Sequence, residues 1–296
     1  MSTKAQLLAL LQLEGLGPGR VRQLIQAFGD LSAVFDAGPE ALIEAGVQER
    51  IARIIASADE ESLWALDMQL MDYEAERGVR FISFDEPGYP PSLLELDDPP
   101  LFLWCRGEIL PQDRRAVAVV GSRQASWRGE RNAERIAAAL ADQGVTVVSG
   151  LARGIDTAAH RGALRAGGRT IAVLGSGIEV IVPEENRELA DRIAQQGAVL
   201  SALLHPNAYP SRQNFFARNS VVSGLSRAVI VVEAEPDSGS VDTGLKALGQ
   251  GRRLLVVVPE RGMPAGNRQL LEVGGLPVRS MEEVLEALEE VVLTEE

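Results

Sequence analysis

Cysteine, histidine and lysine are scarce in this chain of 296 residues, and each scarcity removes a class of chemistry. Cys105 is the only cysteine, so no disulfide can form within the chain and no cysteine cluster can hold a metal. That usage fits a reducing compartment, and a cytoplasmic location is the expectation. His160 and His205 are the only histidines, which rules out a multi-histidine metal site and leaves a histidine-based triad little to build on. Lysine occurs only at Lys4 and Lys246, so nearly all positive charge is arginine, the side chain suited to bidentate phosphate contacts and stacking on bases. No apolar run approaches the roughly 18 residues that span a bilayer, and Met1-Ser-Thr-Lys4 leads into an amphipathic helix, not a signal peptide. The phosphate loop Gly-x-x-x-x-Gly-Lys-Ser/Thr and the Gly-x-Ser-x-Gly elbow are missing. Gly175-Ser-Gly-Ile-Glu-Val180 begins the dinucleotide fingerprint Gly-x-Gly-x-x-Gly and then lacks its third glycine.

What is present is an ordinary globular composition, 46% hydrophobic and 24% charged, long enough for about two domains. The net charge of −13 argues against indiscriminate polyanion binding, yet it is unevenly spread. Residues 1–100 carry 7 basic and 18 acidic side chains, residues 101–224 carry 15 and 11, and residues 225–296 carry 7 and 13. An anion site therefore belongs in the middle block.

The pattern predicts an N-terminal helical domain over 1–78, an α/β domain over 79–280, and a C-terminal helix and tail over 281–296. In the first, Glu14-Gly-Leu-Gly-Pro-Gly19 joins helices 5–14 and 20–28. That is the helix-hairpin-helix pattern that offers backbone amides to DNA phosphates, although the acidity of the region equally suits a helical protein-contact domain. Residues 47–77 read as one helix. From Ala116 the chain alternates apolar strands with helices of about 10–15 residues, the signature of a doubly wound, mostly parallel sheet of Rossmann type covered on both faces.

Ligands of such sheets gather at the carboxyl ends of the strands. Here those ends carry Gly121-Ser122-Arg123, Ser149-Gly150 with Arg153-Gly154, Gly175-Ser-Gly177, and Glu233-Ala-Glu-Pro-Asp-Ser238-Gly239. Glycine and serine turns at helix N-termini supply N–H and O–H donors, and the arginines supply charge. The combination binds phosphates and contains no nucleophile–base pair to act on them. Phe215 and Phe216 precede Arg218 and Asn219, and rings beside cations suit stacking on unpaired bases. One ring reads as an anchor of the helix to the sheet; the role of the other is open.

Taken together, Val119-Val-Gly-Ser-Arg123, Val148-Ser-Gly-Leu-Ala-Arg-Gly-Ile-Asp-Thr-Ala-Ala-His-Arg161, Thr170-Ile-Ala-Val-Leu-Gly-Ser-Gly177, Arg218-Asn219 and Ser238-Gly-Ser240 resemble the DprA/Smf family of DNA-processing proteins. The resemblance covers roughly residues 80–275. It implies an extended Rossmann fold that binds single-stranded DNA without sequence preference, forms a homodimer and loads the RecA recombinase, with no cofactor, no metal and no catalytic step. In transformable bacteria that role protects incoming DNA. The family's phosphate-contact roles fall on Ser122, Arg123, Arg153, Arg218 and Asn219, and its dimer surface falls near Leu270, Leu271 and Leu276. Three features depart from the family pattern. Ser201-Ala202 stands where the family has Ser-Glu, Phe216 where it has proline, and Ser220 where it has a second arginine. Many members carry a winged-helix domain, for which residues 281–296 are too few. The rival reading is a nucleotide-binding enzyme of the nucleoside-monophosphate phosphoribohydrolase kind. Asp237-Ser-Gly-Ser-Val-Asp-Thr243 lacks the glycine run which that chemistry uses.

Overall fold

A computed structural model describes residues 2–293, in two compact units. The first unit comprises residues up to Tyr89 together with Pro100–Leu103, and the second takes Pro90–Pro99 and the chain from Trp104 onward.

The first unit is helical: α1 (Thr3–Gln12), α2 (Pro18–Phe28), α3 (Leu31–Asp36), α4 (Pro39–Glu44), α5 (Glu49–Ala56) and α6 (Glu60–Arg77), followed by strand β1 (Val79–Ser83). Local chemistry sets these limits. Ser2, Asp30 and Asp59 cap α1, α3 and α6 by accepting a backbone N–H, and proline opens α2 and α4. Leu7, Leu10, Val21, Leu24, Val34, Leu42 and Ile55 are buried at its centre. The single helix expected over 47–77 is two, because Asp59 accepts from the Ser62 N–H and starts a new helix there. Strand β1, expected at the start of the second domain, lies in this unit, where Phe81 stacks on Phe102 at 4.9 Å between ring centroids.

The second unit is built on a sheet. Its elements are α7 (Pro91–Leu94), β2 (Phe102–Gly107, from Trp104 onward), β3 (Ala116–Val120), α8 (Trp127–Asp142), β4 (Thr146–Ser149), α9 (Ile155–Arg165), β5 (Thr170–Val173), α10 (Arg187–Gln196) and β6 (Ala198–Ser201). There follow α11 (Arg212–Gly224), β7 (Ala228–Val231), α12 (Gly239–Gly249), β8 (Arg253–Val257), α13 (Ala265–Glu272), β9 (Leu276–Val278) and α14 (Met281–Leu288). The strands run in the order β2-β6-β5-β4-β3-β7-β8-β9, all parallel from β6 to β9, with β2 antiparallel to β6. The expected doubly wound α/β sheet is thus observed.

Strands β3, β4, β5, β6 and β7 are buried along their whole length, which is why they read as mainly apolar runs, with Thr146, Ser149, Thr170 and Ser201 as buried polar residues at their ends. Ile136, Ala137 and Leu140 of α8, Ala159 and Ala163 of α9, and Val284 and Leu288 of α14 cover one face in a continuous core. The chain steps outward from β3 to β4, β5 and β6, then returns to lay β7 on the other side of β3. That reversal leaves a crevice at the carboxyl ends of β3 and β7. The tail expected at 281–296 is α14 followed by a π-helical turn, Glu289–Leu293; its last three residues lie outside the described ones. Among the described residues no helix is long and apolar enough to cross a membrane.

Candidate nucleic-acid interface

At that reversal lies a cleft of about 690 Å3. Gly121, Ser122, Arg123, Gly150, Phe215, Arg218, Asn219, Ser238 and Gly239, all expected site residues, line it. The turns after β3, β4 and β7 and the first half of α11 bring them together. Three other expected site residues, Ser149, Arg153 and Gly154, take different places.

Two of the residues lining the cleft form its scaffold. Arg218 is 9% exposed, and its Nη1 donates to the carbonyls of Gly150 at 2.6 Å and Val173 at 2.5 Å. Its Nε donates to Asn219 Oδ1 at 3.2 Å. Its charge is thus largely taken up within the protein, so the expected phosphate clamp is a brace across the ends of β4 and β5. Gly150 is required for that brace, because a Cβ there would lie 2.0 Å from Arg218 Nη1. Asn219 ties α11 to α12 by donating from Nδ2 to Gly239 O at 3.1 Å and to Asp242 Oδ2 at 2.9 Å. Below them, Asp156 accepts from the N–H groups of Gly150 and Ala152 at 3.1 and 3.3 Å, which holds the turn in shape. Burial pushes its carboxyl pKa up, against the pull of the Arg218 charge.

Ser149 is also structural: it is fully buried and donates to Val119 O at 2.7 Å, away from the cleft. Arg153 lies outside the cleft, exposed, in a two-pronged pair with Glu185 at 2.8 and 2.7 Å. The hydrogen bonds to Arg153 lower the Glu185 pKa and raise that of Arg153. Gly154, at φ +71, faces a second groove between α8 and α9; a side chain there would meet Ser122 O at 2.3 Å.

The exposed cations at the cleft are Arg123 and Arg212, and each lies over a ring. Arg123 is 4.9 Å from the centroid of Phe215, and Arg212 is 5.6 Å from that of Phe216. Phe215 is the anchoring ring: a Cβ on Gly175 would come within 2.5 Å of it, so that glycine makes its seat. Phe216 lies between Arg212 and Lys246, whose Nζ stands 5.8 Å from the ring centroid. Arg212 and Lys246 were missed in the sequence; the spacing of Arg212 four residues before Phe216, one helical turn, was a usable signal. At the opposite wall Ser238 caps α12 by accepting from the Val241 N–H. The N–H groups of Gly239 and Ser240 in that first turn have no intrahelical acceptor and suit an anion. Glu235 and Asp237 stand beside them at the mouth, so the positive side of the cleft is the Arg123–Arg212 side.

Of the expected dimer residues, Leu270 is fully buried against Gly244 and Leu254 and belongs to the core. Leu271 is half-buried, and Leu276 is 45% exposed on β9. Among the described residues no group of His, Cys, Asp and Glu could hold a metal ion.

The family described as DNA recombination-mediator protein A matches residues 80–289. "Protein Smf" of Synechocystis is 38% identical over 249 residues, 82% of this chain and 61% of that protein. "Protein Smf" of Escherichia coli is 42% identical over 70% of this chain and 56% of its own length. The chain therefore spans about three fifths of these two relatives. "DNA processing protein DprA" of Streptococcus pneumoniae is 39% identical, over 77% of this chain and 81% of that protein. Its crystal structure superposes with a TM-score of 0.74 at 30% identity, over 97% of this chain and 98% of that one. A structure of DNA processing protein A from Helicobacter pylori, described by its single-stranded DNA binding mode, matches with a TM-score of 0.63 at 27% identity, over 71% of this chain and 96% of that one.

Proposed function

The chain belongs to the DNA recombination-mediator protein A family, the DprA/Smf proteins, and from that premise we propose that it binds single-stranded DNA in the cleft at the carboxyl ends of β3, β4 and β7. The observation that carries the reading is the pairing of each exposed arginine with a ring: Arg123 on Phe215 and Arg212 on Phe216. A guanidinium over a ring can meet a phosphate while the ring's free edge or face receives a base, and every base offers a π-face, so the binding is indifferent to sequence. Duplex DNA hides those faces in its stack. Ser122 and the first turn of α12 add neutral donors that hold a backbone without cutting it, so no residue is assigned a catalytic role. The finer reading, from the family resemblance, is a cytoplasmic homodimer that hands its strand to the RecA recombinase as a recombination mediator and protects incoming DNA. Leu276 is the exposed dimer candidate.

The test is a mobility-shift or anisotropy titration against single-stranded and duplex oligonucleotides at two salt concentrations. The single strand is expected to bind more tightly and to weaken with salt. Arg123→Ala is expected to cost about tenfold in affinity across all sequences and to flatten the salt slope by about 0.7, one phosphate contact on a single strand. An unchanged slope removes Arg123 from the interface, and turnover of a nucleoside monophosphate favours the phosphoribohydrolase reading. Arg153 differs because Glu185 already holds it. Glu185→Ala frees that charge and is expected to raise affinity about two- to threefold, with a slope steeper by about 0.7, an effect lost when Arg153→Ala is added. Equal affinities of Glu185→Ala and wild type place Arg153 off the strand's path.

A further inference from the structure

We propose that the groove between α8 and α9 is a second subsite for single-stranded nucleic acid, one that takes the next stretch of the strand as it leaves the cleft. The proposal rests on the strand-binding reading above and extends it to a different surface. The groove, about 520 Å3, is lined by Trp127, Arg131 and Arg135 of α8, Gly154 of the turn after β4, and Arg161 and Arg165 of α9. The helices meet closely at Gly162, where a Cβ would lie 2.2 Å from Glu134 O. Each helix lines the groove with two arginines one turn apart, a rise of about 6 Å, so four guanidiniums flank it in two rows.

Charge is what separates this groove from an ordinary solvated helix face. Arg165 pairs with Glu134 at 2.9 Å, but Arg131, Arg135 and Arg161 are exposed and make no ion pair among the described residues. Glu130 and Glu134 are the acids that line it, two against four arginines. In a chain of net charge −13, unpaired arginines gathered on one face form a local field for a polyanion. Trp127, at the same groove, is 67% exposed with the Arg128 guanidinium 5.7 Å from its ring. An exposed indole beside a cation repeats the ring-and-arginine chemistry of Phe215 and Phe216 and offers a stacking face to an unpaired base.

Continuity selects nucleic acid over an acidic peptide. The turns 121–124 and 150–154 lie against each other: Ile155 N–H donates to Ser122 O at 3.2 Å, and Gly154 sits where a side chain would strike that carbonyl. One end of this pair of turns lines the cleft, and Gly154 lines the groove. Trp127 follows Arg123 by four residues, so a strand passing Arg123 next meets the indole and then the arginine rows.

The experiment compares oligothymidylates of about 6 and about 15 nucleotides, the short one filling the cleft alone. It uses the full chain, the double variant Arg131→Ala/Arg161→Ala, and Trp127→Leu. All three positions are exposed, and circular dichroism verifies folding. The double variant is expected to bind the short strand within about twofold of wild type, and to bind the long one about tenfold or more weakly with a salt slope shallower by about 1.4. Trp127→Leu is expected to weaken the long strand alone and to abolish most of the tryptophan quenching that this strand causes. Unchanged affinity and slope for the long strand overturn the proposal and leave the cleft reading standing, as does equal weakening of both lengths. A polyglutamate peptide that binds wild type and not the double variant, with long-strand affinity unmoved, overturns it in favour of an acidic-peptide site. Failure of wild type to bind either strand overturns the cleft reading with it.

Discussion

Arg218→Ala is expected to destabilise the protein by about 3–5 kcal/mol, the cost of breaking a buried charged contact from one side. The guanidinium closes the ends of two central strands by donating to Gly150 O and Val173 O. Truncation leaves both carbonyls without that donor, in a region where unsatisfied polar groups cost about 1–3 kcal/mol each. It also removes the cation that opposes the upward push of burial on the Asp156 carboxyl, so that carboxyl shifts further up and the turn it holds through Gly150 and Ala152 loosens. Arg218→Lys keeps a charge but cannot reproduce the planar fork, and is expected to recover only part of the loss. Urea unfolding followed by circular dichroism reads the effect. Arg123→Ala, at an exposed position, is expected to stay within about 0.5 kcal/mol of wild type in the same assay. The contrast separates a brace from a contact residue. An Arg218→Ala protein with a wild-type midpoint that has lost its strand affinity shows instead that the guanidinium reaches the DNA directly.

The fold was largely legible in the sequence because burial on both faces writes central strands such as β3 and β7 as apolar runs, and their alternation with helices points to a parallel sheet. The cleft was legible for a related reason: a ligand crevice lies where strand order reverses, and the turns there are rich in glycine and serine. What the letters did not carry was direction. Arg123, Arg153 and Arg218 are alike as residues, yet one is exposed over a ring, one is held by an acid thirty-two positions away, and one is buried under two carbonyls. Depth at a helix turn depends on which face meets the sheet. Arg218 and Asn219 lie on the face of α11 that also buries Val221 and Val222, whereas Arg212, on its first turn, is exposed. Leu270 was misplaced for the same reason, since it fills the space left by Gly244, a partner twenty-six positions away. The α8–α9 groove went unread because its arginines belong to two helices and appear as scattered surface charge until the helices are packed.

A second buried polar group is expected to make the fold sensitive to acid. His160, on α9, is fully buried, and its Nδ1 lies 2.7 Å from Thr170 Oγ1. That hydroxyl donates its own proton to Val147 O at 2.7 Å, so it must accept from the ring; the proton therefore sits on Nδ1, and Nε2 has no partner among the described residues. Burial first, and the Arg218 charge second, lower the imidazole pKa from 6.5 to about 3. Above pH 6.5 the ring is neutral in folded and unfolded chains alike. As the pH falls from 6.5 towards 3 the unfolded chain takes up a proton that the folded one refuses, so stability is lost with falling pH, by up to roughly 5 kcal/mol across the window and about 2–3 kcal/mol by pH 4.5. His160→Asn keeps a donor towards Thr170 and cannot titrate. Its urea midpoints at pH 7 and pH 4.5 are expected to differ by about 2–3 kcal/mol less than those of wild type. Equal pH dependence in the two proteins sinks the assignment. The two predictions are also coupled. Removing the Arg218 charge takes away the smaller of the two causes that hold the ring neutral, so Arg218→Ala is expected to narrow the window of His160-dependent loss from its acid end, while burial keeps the larger part.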